Sequence, residues 1–331
     1  MSENDSLFTH ITGISAPIFF PKGQIITFLS SSDYAIRDYF HSLVMENDCP
    51  FFFQNHPIGK NNILFLNTDG FLFPSLSTFD NLAFSLKNRK LPKKEVEMKV
   101  DEMASFLNLN EKLGEKVSEL SKIEQEKVLL GKRFILDASL YVILDTQFSK
   151  GIEKAFVSLV RKKNASVLLL TKNISFSLLV SEKVIVNFGS NHEEIGTPVS
   201  LLTSPSLLST MRLLNQPYLN VIPIEYEGDV IHLLGKKIAL KDPNYAYLAI
   251  RPDSISLAEK GTYEGSILCN EMIGERNYVH LEIWRQEIVI EDKASEKKVG
   301  EKIRFEIPLE KCLFFGKDER RVLLEKEKHF S

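Results

Sequence analysis

Apolar residues recur along the chain in two rhythms. In the first, short unbroken apolar runs alternate with stretches of helical spacing. Residues 140–144 (Leu-Tyr-Val-Ile-Leu), 166–170 and 183–187 show no polar alternation, which is the pattern of strands buried on both faces of a parallel sheet. Helices are predicted over residues 150–163 and 175–181 between them. Upstream, Val96, Val100, Met103 and Leu107 fall at near-helical spacing within residues 93–107, and residues 124–137 read as a further helix. Nearer the start, residues 11–20 read as one strand ending at Pro21. Residues 22–43 read as a strand (25–29), a small-residue loop (30–33) and an amphipathic helix (34–43). Residues 47–62, rich in Asn, Pro and Gly, read as loop around one short edge strand at Phe51, Phe52 and Phe53, whose rings are assigned to the core. A short strand is predicted over residues 63–66. Ser77 is placed to cap a helix that the Leu91-Pro92 step breaks. Strands alternating with helices predict a parallel α/β sheet with crossover connections.

From about residue 215 the rhythm changes. Short alternating runs separated by Gly and Asp cover residues 229–234, 237–240, 245–250, 278–283, 287–291, 302–307 and 321–324. Many short strands at close spacing predict a small barrel or sandwich. The boundary is expected between Leu208 and Gln216, giving one domain over residues 1–212 and a second over 213–331. A chain of 331 residues can hold two domains, each with its own core.

Composition removes several classes of function. A formal net charge of −3 gives no basic footprint for nucleic acid. Apolar content of 44% and charged content of 26% are those of a globular protein. Cys49, Cys269 and Cys312 stand far apart with no metal or redox spacing, and read as buried, reduced thiols. His41, His56, His192 and His232 show no ligand spacing. The first ten residues are polar and acidic, unlike a signal peptide, and no run approaches the roughly 18 apolar residues that span a bilayer. A cytoplasmic protein is expected, with peripheral attachment to a membrane left open.

Landmarks in a fixed order add a family. Leu-Phe-Pro-Ser-Leu-Ser-Thr-Phe-Asp-Asn-Leu-Ala-Phe (residues 72–84) resembles a segment of the ATP-binding subunits of bacterial ABC importers, in the subgroup serving sugars, polyamines, phosphate esters, sulfate or iron. Residues 89–109 look like that subgroup's helical subdomain. Residues 118–121 fall where the signature begins, and residues 141–145 sit at the Walker B strand. Residues 167–172 sit at the switch histidine, residues 193–198 match the subgroup's Ile-Gly-Thr-Pro turn, and residues 248–257 resemble an element of its C-terminal OB-type (TOBE) domain. The resemblance spans nearly the whole chain. It implies a P-loop ABC ATPase domain with a helical subdomain, followed by an all-β OB-type domain.

The same alignment shows what has been replaced. A working P-loop needs glycines so that backbone N–H groups can close round phosphate, a Lys on the β/γ oxygens and a hydroxyl on Mg²⁺. Counted from Ser30 as the first glycine position, Ser31, Ser32, Asp33 and Tyr34 fill the variable positions. Ala35, Ile36 and Arg37 then stand at the Gly, Lys and Ser/Thr positions. Thr68 stands at the Q-loop glutamine. In the signature, Lys122 and Ile123 follow Ser121 where the family has glycines, and Glu124 adds negative charge. Asp145 is retained as the Walker B carboxylate, the one metal candidate. Thr146 and Lys172 replace the catalytic Glu and the switch His. Losing one charge-stabilising donor typically costs about 10²–10³ in rate. No turnover and no bound cofactor are therefore expected, although the parent family uses ATP and Mg²⁺.

The resemblance implies a place on the cytoplasmic face of the membrane, with an importer's permease subunits and a second, competent ABC ATPase as partners. Phe71, Phe73, Leu76 and Phe79 lie where the family neighbours the groove that receives the permease's coupling helix, and they read equally as interface or as core. Lys172 and Arg37 are either anion ligands or ion-paired cations. Two other readings stand beside the pseudo-ATPase: an active ATP-hydrolysing importer subunit, and a freestanding regulatory or ligand-binding protein.

Overall fold

A computed structural model describes residues 6–9, 18–45, 51–53, 56–57, 62–66, 72–144, 151–188, 193–227, 230–238, 244–292 and 297–323. The chain divides into two compact units, Met1–Pro198 and Val199–Ser331.

The first unit contains β1 (Ser6–Thr9), β2 (Ile18–Pro21), β3 (Ile25–Ser30), α1 (Asp33–Met45), β4 (Phe51–Phe53), β5 (His56–Pro57) and β6 (Ile63–Leu66). The helices α2 (Thr78–Asn88), α3 (Lys93–Leu107) and α4 (Lys122–Phe134) follow. Then come β7 (Leu140–Leu144), α5 (Glu153–Lys163), β8 (Ser166–Thr171), α6 (Ile174–Val180), β9 (Lys183–Asn187) and β10 (Glu193–Gly196). Six strands form one sheet in the order β10-β9-β3-β8-β7-β6. All its pairs are parallel except the antiparallel edge pair β10 and β9.

The unbroken apolar runs are strands covered on both faces, because alternate residues serve two cores. Leu140, Val142 and Leu144 join Ile26, Phe28, Leu168 and Leu170 under Ile36, Phe40 and Leu43 of α1. Tyr141 and Ile143 face the other way, with Ile25, Val167 and Leu169, into a core shared with α2, α3, α4, α5 and α6. Gly131 of α4 is required where these helices cross: a Cβ there would lie 2.7 Å from Leu82 Cδ2 and 2.9 Å from Leu107 Cδ1.

Two expectations change. The aromatic strand β4 is not an edge: it pairs with both β1 and β5 in the sheet order β2-β1-β4-β5. The placement of its rings lies outside the described part. Of residues 11–20, the described strand covers only the end, at β2, which pairs with the unforeseen β1.

The second unit begins with short helices α7 (Pro198–Thr203, entered from the first unit) and α8 (Leu208–Leu214). It continues as β11 (Asn220–Pro223), β12 (Glu225–Glu227), β13 (Val230–Leu233), β14 (Lys236–Ile238), β15 (Tyr247–Ile250) and β16 (Ser256–Leu257). The last strands are β17 (Tyr263–Ile273), β18 (Arg276–Ile283), β19 (Gln286–Glu291), β20 (Lys302–Glu306), β21 (Leu313–Phe315) and β22 (Arg321–Val322). Three antiparallel sheets result, ordered β11-β15-β21-β22, β12-β13-β14 and β16-β20-β17-β18-β19. They share one core that includes Ile222, Leu248, Leu281, Phe305 and Phe314. The fold class is thus as expected: a parallel sheet layered by helices, then an all-β unit.

Candidate functional site

The site expected to hold phosphate lies at the C-terminal end of β3, the third strand of the six. The parallel register pairs Leu29 with Thr171 of β8, which brings Lys172, the next residue, alongside the end of β3. Strand and helix are joined by Ser31 and Ser32 alone, because α1 already begins at Asp33. The positions expected to be Gly, Lys and Ser/Thr therefore lie inside the helix.

Local hydrogen bonds explain the tight connection. Ser32 N–H donates to Ser30 Oγ at 3.3 Å. Ala35 N–H donates to Ser32 Oγ at 3.2 Å, and Ile36 N–H to the Ser32 carbonyl at 3.2 Å. Ser32 thereby caps the helix, satisfying amides that a P-loop would turn towards a ligand. Ile36 is fully buried (0% exposed) in the core beneath α1, so the Lys position points inward. Arg37 and Lys172 converge on one carboxylate. Asp33 Oδ2 accepts from Arg37 Nε at 3.2 Å, and Asp33 Oδ1 lies 3.1 Å from Lys172 Nζ. The hydrogen bond from Lys172, and then that from Arg37, hold the Asp33 carboxyl below its ordinary range. Of the two readings offered for Arg37 and Lys172, the ion pair is the one observed. Tyr34 is exposed on the first turn of α1.

The signature segment forms the start of α4. Ser121 is its N-cap, and with Glu124 it makes a reciprocal capping box. Glu124 N–H donates to Ser121 Oγ at 3.4 Å; Glu124 Oε2 accepts from Ser121 N–H at 2.8 Å and from Ser121 Oγ–H at 2.6 Å. The second pair of bonds lowers the Glu124 pKa. Lys122 and Ile123 project outward on the first turn, Ile123 with 44% of its surface exposed. Thr68, Phe71, Asp145 and Thr146 lie outside the described residues, so β7 is seen only as far as Leu144. Among the described residues, no group of three or more His, Cys, Asp or Glu side chains is placed to hold a metal.

Of the four residues named for a partner surface, Phe73, Leu76 and Phe79 are described. Leu76 is exposed and Phe73 is partly so. Phe79 is partly buried against the helical core, with Lys87 Nζ 5.6 Å from its ring centre. Two neighbours of these residues were not foreseen from the sequence. Phe84 packs on Phe73 with ring centres 4.7 Å apart, and Lys132 of α4 lies over both rings, at 4.3 Å from Phe73 and 5.1 Å from Phe84. Burial there pulls the Lys132 pKa down.

Sequence reasoning also missed Asn81, fully buried on α2. Asn81 Oδ1 accepts Phe73 N–H at 2.7 Å, while its Nδ2 donates to the carbonyls of Phe73 and Ser77, both at 3.0 Å. The helical period carries the signal: residues 78, 81, 82 and 86 form the buried stripe, and a polar side chain on such a stripe must have a partner. Lys132 has no comparable signal, since its rings come from a segment far away in sequence.

In sequence, the chain is a homologue of the ATP-binding subunits of ABC importers. The sn-glycerol-3-phosphate import ATP-binding protein UgpC of Brucella abortus is 23% identical over 266 residues, 76% of this chain and 75% of its own length. UgpC of Cupriavidus pinatubonensis is 24% identical over 261 residues, covering 70% of this chain and 71% of its own. YcjV of Escherichia coli, an uncharacterized ABC transporter ATP-binding protein, is 22% identical over 280 residues and 78% of each chain. No profile of a known protein family matches the chain. Among solved structures, cbiO1 from Clostridium perfringens, part of the ABC transporter complex cbiONQ, superposes with a TM-score of 0.49 at 16% identity, covering 60% of this chain and 90% of its own.

That homology implies ATP and Mg²⁺. The residues of the β3–α1 connection do not fit a nucleotide's phosphates. Two residues cannot wrap a phosphate, the Lys position is inside the core, and an aspartate neutralises the two cations that remain.

Proposed function

We propose that this chain is a non-hydrolysing subunit of an ABC-type solute importer. It sits at the cytoplasmic face of the membrane and holds permease subunits through its helical subdomain. It pairs with a second, competent ATPase, and its C-terminal unit is an OB-type regulatory domain. The carrying observation is the β3–α1 connection. Ile36 in the core and Asp33 on Lys172 and Arg37 leave neither a Lys for the β/γ oxygens nor a free cation pair for a leaving phosphate. Phosphoryl transfer rests on positioning and charge stabilisation, so a chain without these groups retains the fold of the parent family without its reaction. The cluster of Phe73, Phe84 and Lys132 beside exposed Leu76 supports the docking half of the reading. An apolar patch carrying one cation suits the amphipathic helix of a permease.

Calorimetric titration of the full chain with MgATP, alongside a phosphate-release assay, tests the reading. No binding is expected up to about 1 mM, with no release above buffer. Micromolar binding with turnover overturns it. Affinity capture from native membranes should recover permease subunits and an intact ATPase, and recovery of neither would favour a freestanding protein.

A further inference from the structure

Cys269 stands at a bulge in β17. The register of β17 on β18 shifts between Ile267 and Cys269, which leaves Leu268 over and pairs Cys269 directly with His280. Without that extra residue the thiol would oppose Val279 and turn to the face that enters the core. Cys269 is exposed, whereas the sequence suggested a buried thiol; Cys312 is buried as expected. Residues directly opposite on paired strands have Cβ atoms roughly 5 Å apart, so the thiol reaches the imidazole by rotation about one side-chain bond.

His280 has only 6% of its surface exposed, and its ring is fixed in place. Nδ1 lies 2.6 Å from Glu287 Oε1 on β19; a carboxylate accepts, so Nδ1 carries the proton. Tyr218 packs edge-on against the ring with centres 5.0 Å apart. Because Nδ1 faces β19, Nε2 faces β17 on the other side of β18. There it is buried without a hydrogen-bond partner, 3.4 Å from Glu271 Oε2. That oxygen already accepts the Tyr218 hydroxyl. The bond pushes the tyrosine hydroxyl up to about 12, so Tyr218 stays protonated and is no base at neutral pH. A buried acceptor left unpaired costs free energy, and the group opposite it in the strand register that can donate is the Cys269 thiol.

We infer that Cys269, His280 and Glu287 form a nucleophilic triad and that Cys269 is a site of thiolation by a small cationic disulfide. His280 Nε2 takes the Sγ proton, Glu287 holds the ring in the required tautomer, and Glu271 faces the Nε2–H of the imidazolium that forms. Sγ forms a bond to one sulfur of the disulfide, whose own S–S bond breaks. The departing thiolate takes the proton from His280, leaving a mixed disulfide on Cys269 and one free small thiol. The surroundings set the reagent's charge. Strand alternation puts Glu271, Glu282 and Glu287 on the same face as Cys269, and Arg276 on that face is engaged by Glu291 at 3.4 Å.

Incubation of the full chain with cystamine, at neutral pH and low salt, tests this, with thiolation of the Cys269 peptide followed by mass spectrometry. Cys269 should react at least about ten-fold faster than N-acetylcysteine under the same conditions. Cys312, whose thiol burial pushes up to about 12, serves as a slow internal reference. His280→Gln should slow Cys269 about ten-fold or more, and added imidazole should restore part of that rate. Glu287→Gln, at an exposed side chain, should slow it comparably and cause no further loss when combined with His280→Gln, and it decides the matter where His280→Gln does not fold. Oxidised glutathione, an anion, should react several-fold more slowly than cystamine, with the gap narrowing as salt is added. A Cys269 rate equal to that of N-acetylcysteine, an unchanged rate in Glu287→Gln, or equal rates with the two disulfides at low salt would each overturn the inference.

Discussion

Two segments of the α/β unit open a helix after an extended stretch, and they close that opening in opposite ways. At the start of α1, Ser32 caps the helix, Asp33 takes up two cations and Ile36 enters the core. At the start of α2, Ser77 caps the helix in the same manner, its Oγ accepting Asp80 N–H at 3.0 Å. There Asn81 reaches back to hold the preceding chain, and the segment leaves Leu76 and Phe84 at the surface. The first arrangement consumes its polar groups internally. The second spends a buried amide on shaping a surface that ends apolar. A helix start is therefore not a binding site by virtue of its position; what matters is which groups the local fold leaves unspent.

The strongest test of this contrast restores the family's residue. Ile36→Lys would place an ammonium group in the core formed with Phe28, Phe40, Leu140 and Leu168. Loss of a buried apolar side chain and desolvation of a charge together predict a stability loss of about 3–5 kcal/mol. Urea unfolding of the full chain, followed by circular dichroism, should show it as a clear fall in midpoint. MgATP should not recover the loss. A variant as stable as the parent that binds ATP would mean that α1 can unwind its first turn to rebuild a phosphate loop, and the contrast would fail.

The second test breaks the other side. Asn81→Ala removes the acceptor for Phe73 N–H and the donor to two carbonyls in a buried place. Leaving such groups unpaired predicts a loss of about 2–4 kcal/mol. The sharper readout is local: hydrogen exchange at Phe73 N–H should rise more than exchange at the sheet core. Uniform change across the unit would make Asn81 an ordinary core residue instead of the support of that surface.

How much of this was legible in the sequence depends on how far each signal reaches along the chain. Residues 140–144, 167–170 and 184–186 declared themselves because burial on both faces leaves no polar position within those runs. Ser77 was legible as a cap because its bond is local. The long strand β17 was not. Glu264, Ser266, Asn270 and Glu271 interrupt its apolar positions, Gly265 lowers strand propensity, and a register shift between Ile267 and Cys269 breaks the two-residue period. The replaced positions in residues 30–37 were visible by alignment to the family. The shortening of the connection to Ser31 and Ser32 was not, because a helix gains its first turn from core packing of Ile36 and Phe40 that no short window contains. The union of Asp33 with Lys172 needed the sheet order itself, since only the β3–β8 pairing brings them together.

The smallest expected effect concerns that ion pair, which is exposed and therefore screened. Asp33 has its folded carboxyl held below the ordinary value of 3.8, with Lys172 the larger cause and Arg37 the smaller. A depressed folded pKa stabilises the native state above the unfolded pKa. That contribution is lost as pH falls through the folded value, so it lies entirely on the acid side of about pH 4. Carboxyl-carbon NMR of Asp33 across this range should give a midpoint below 3.8 in the parent. Lys172→Gln should move the midpoint up more than Arg37→Gln does, and added salt should move it in the same direction. An unchanged midpoint in Lys172→Gln would remove the link between the ends of β3 and β8. The β3–α1 connection would then be closed by its cap and by Ile36 alone, leaving the cation just past β8 open to an outside anion.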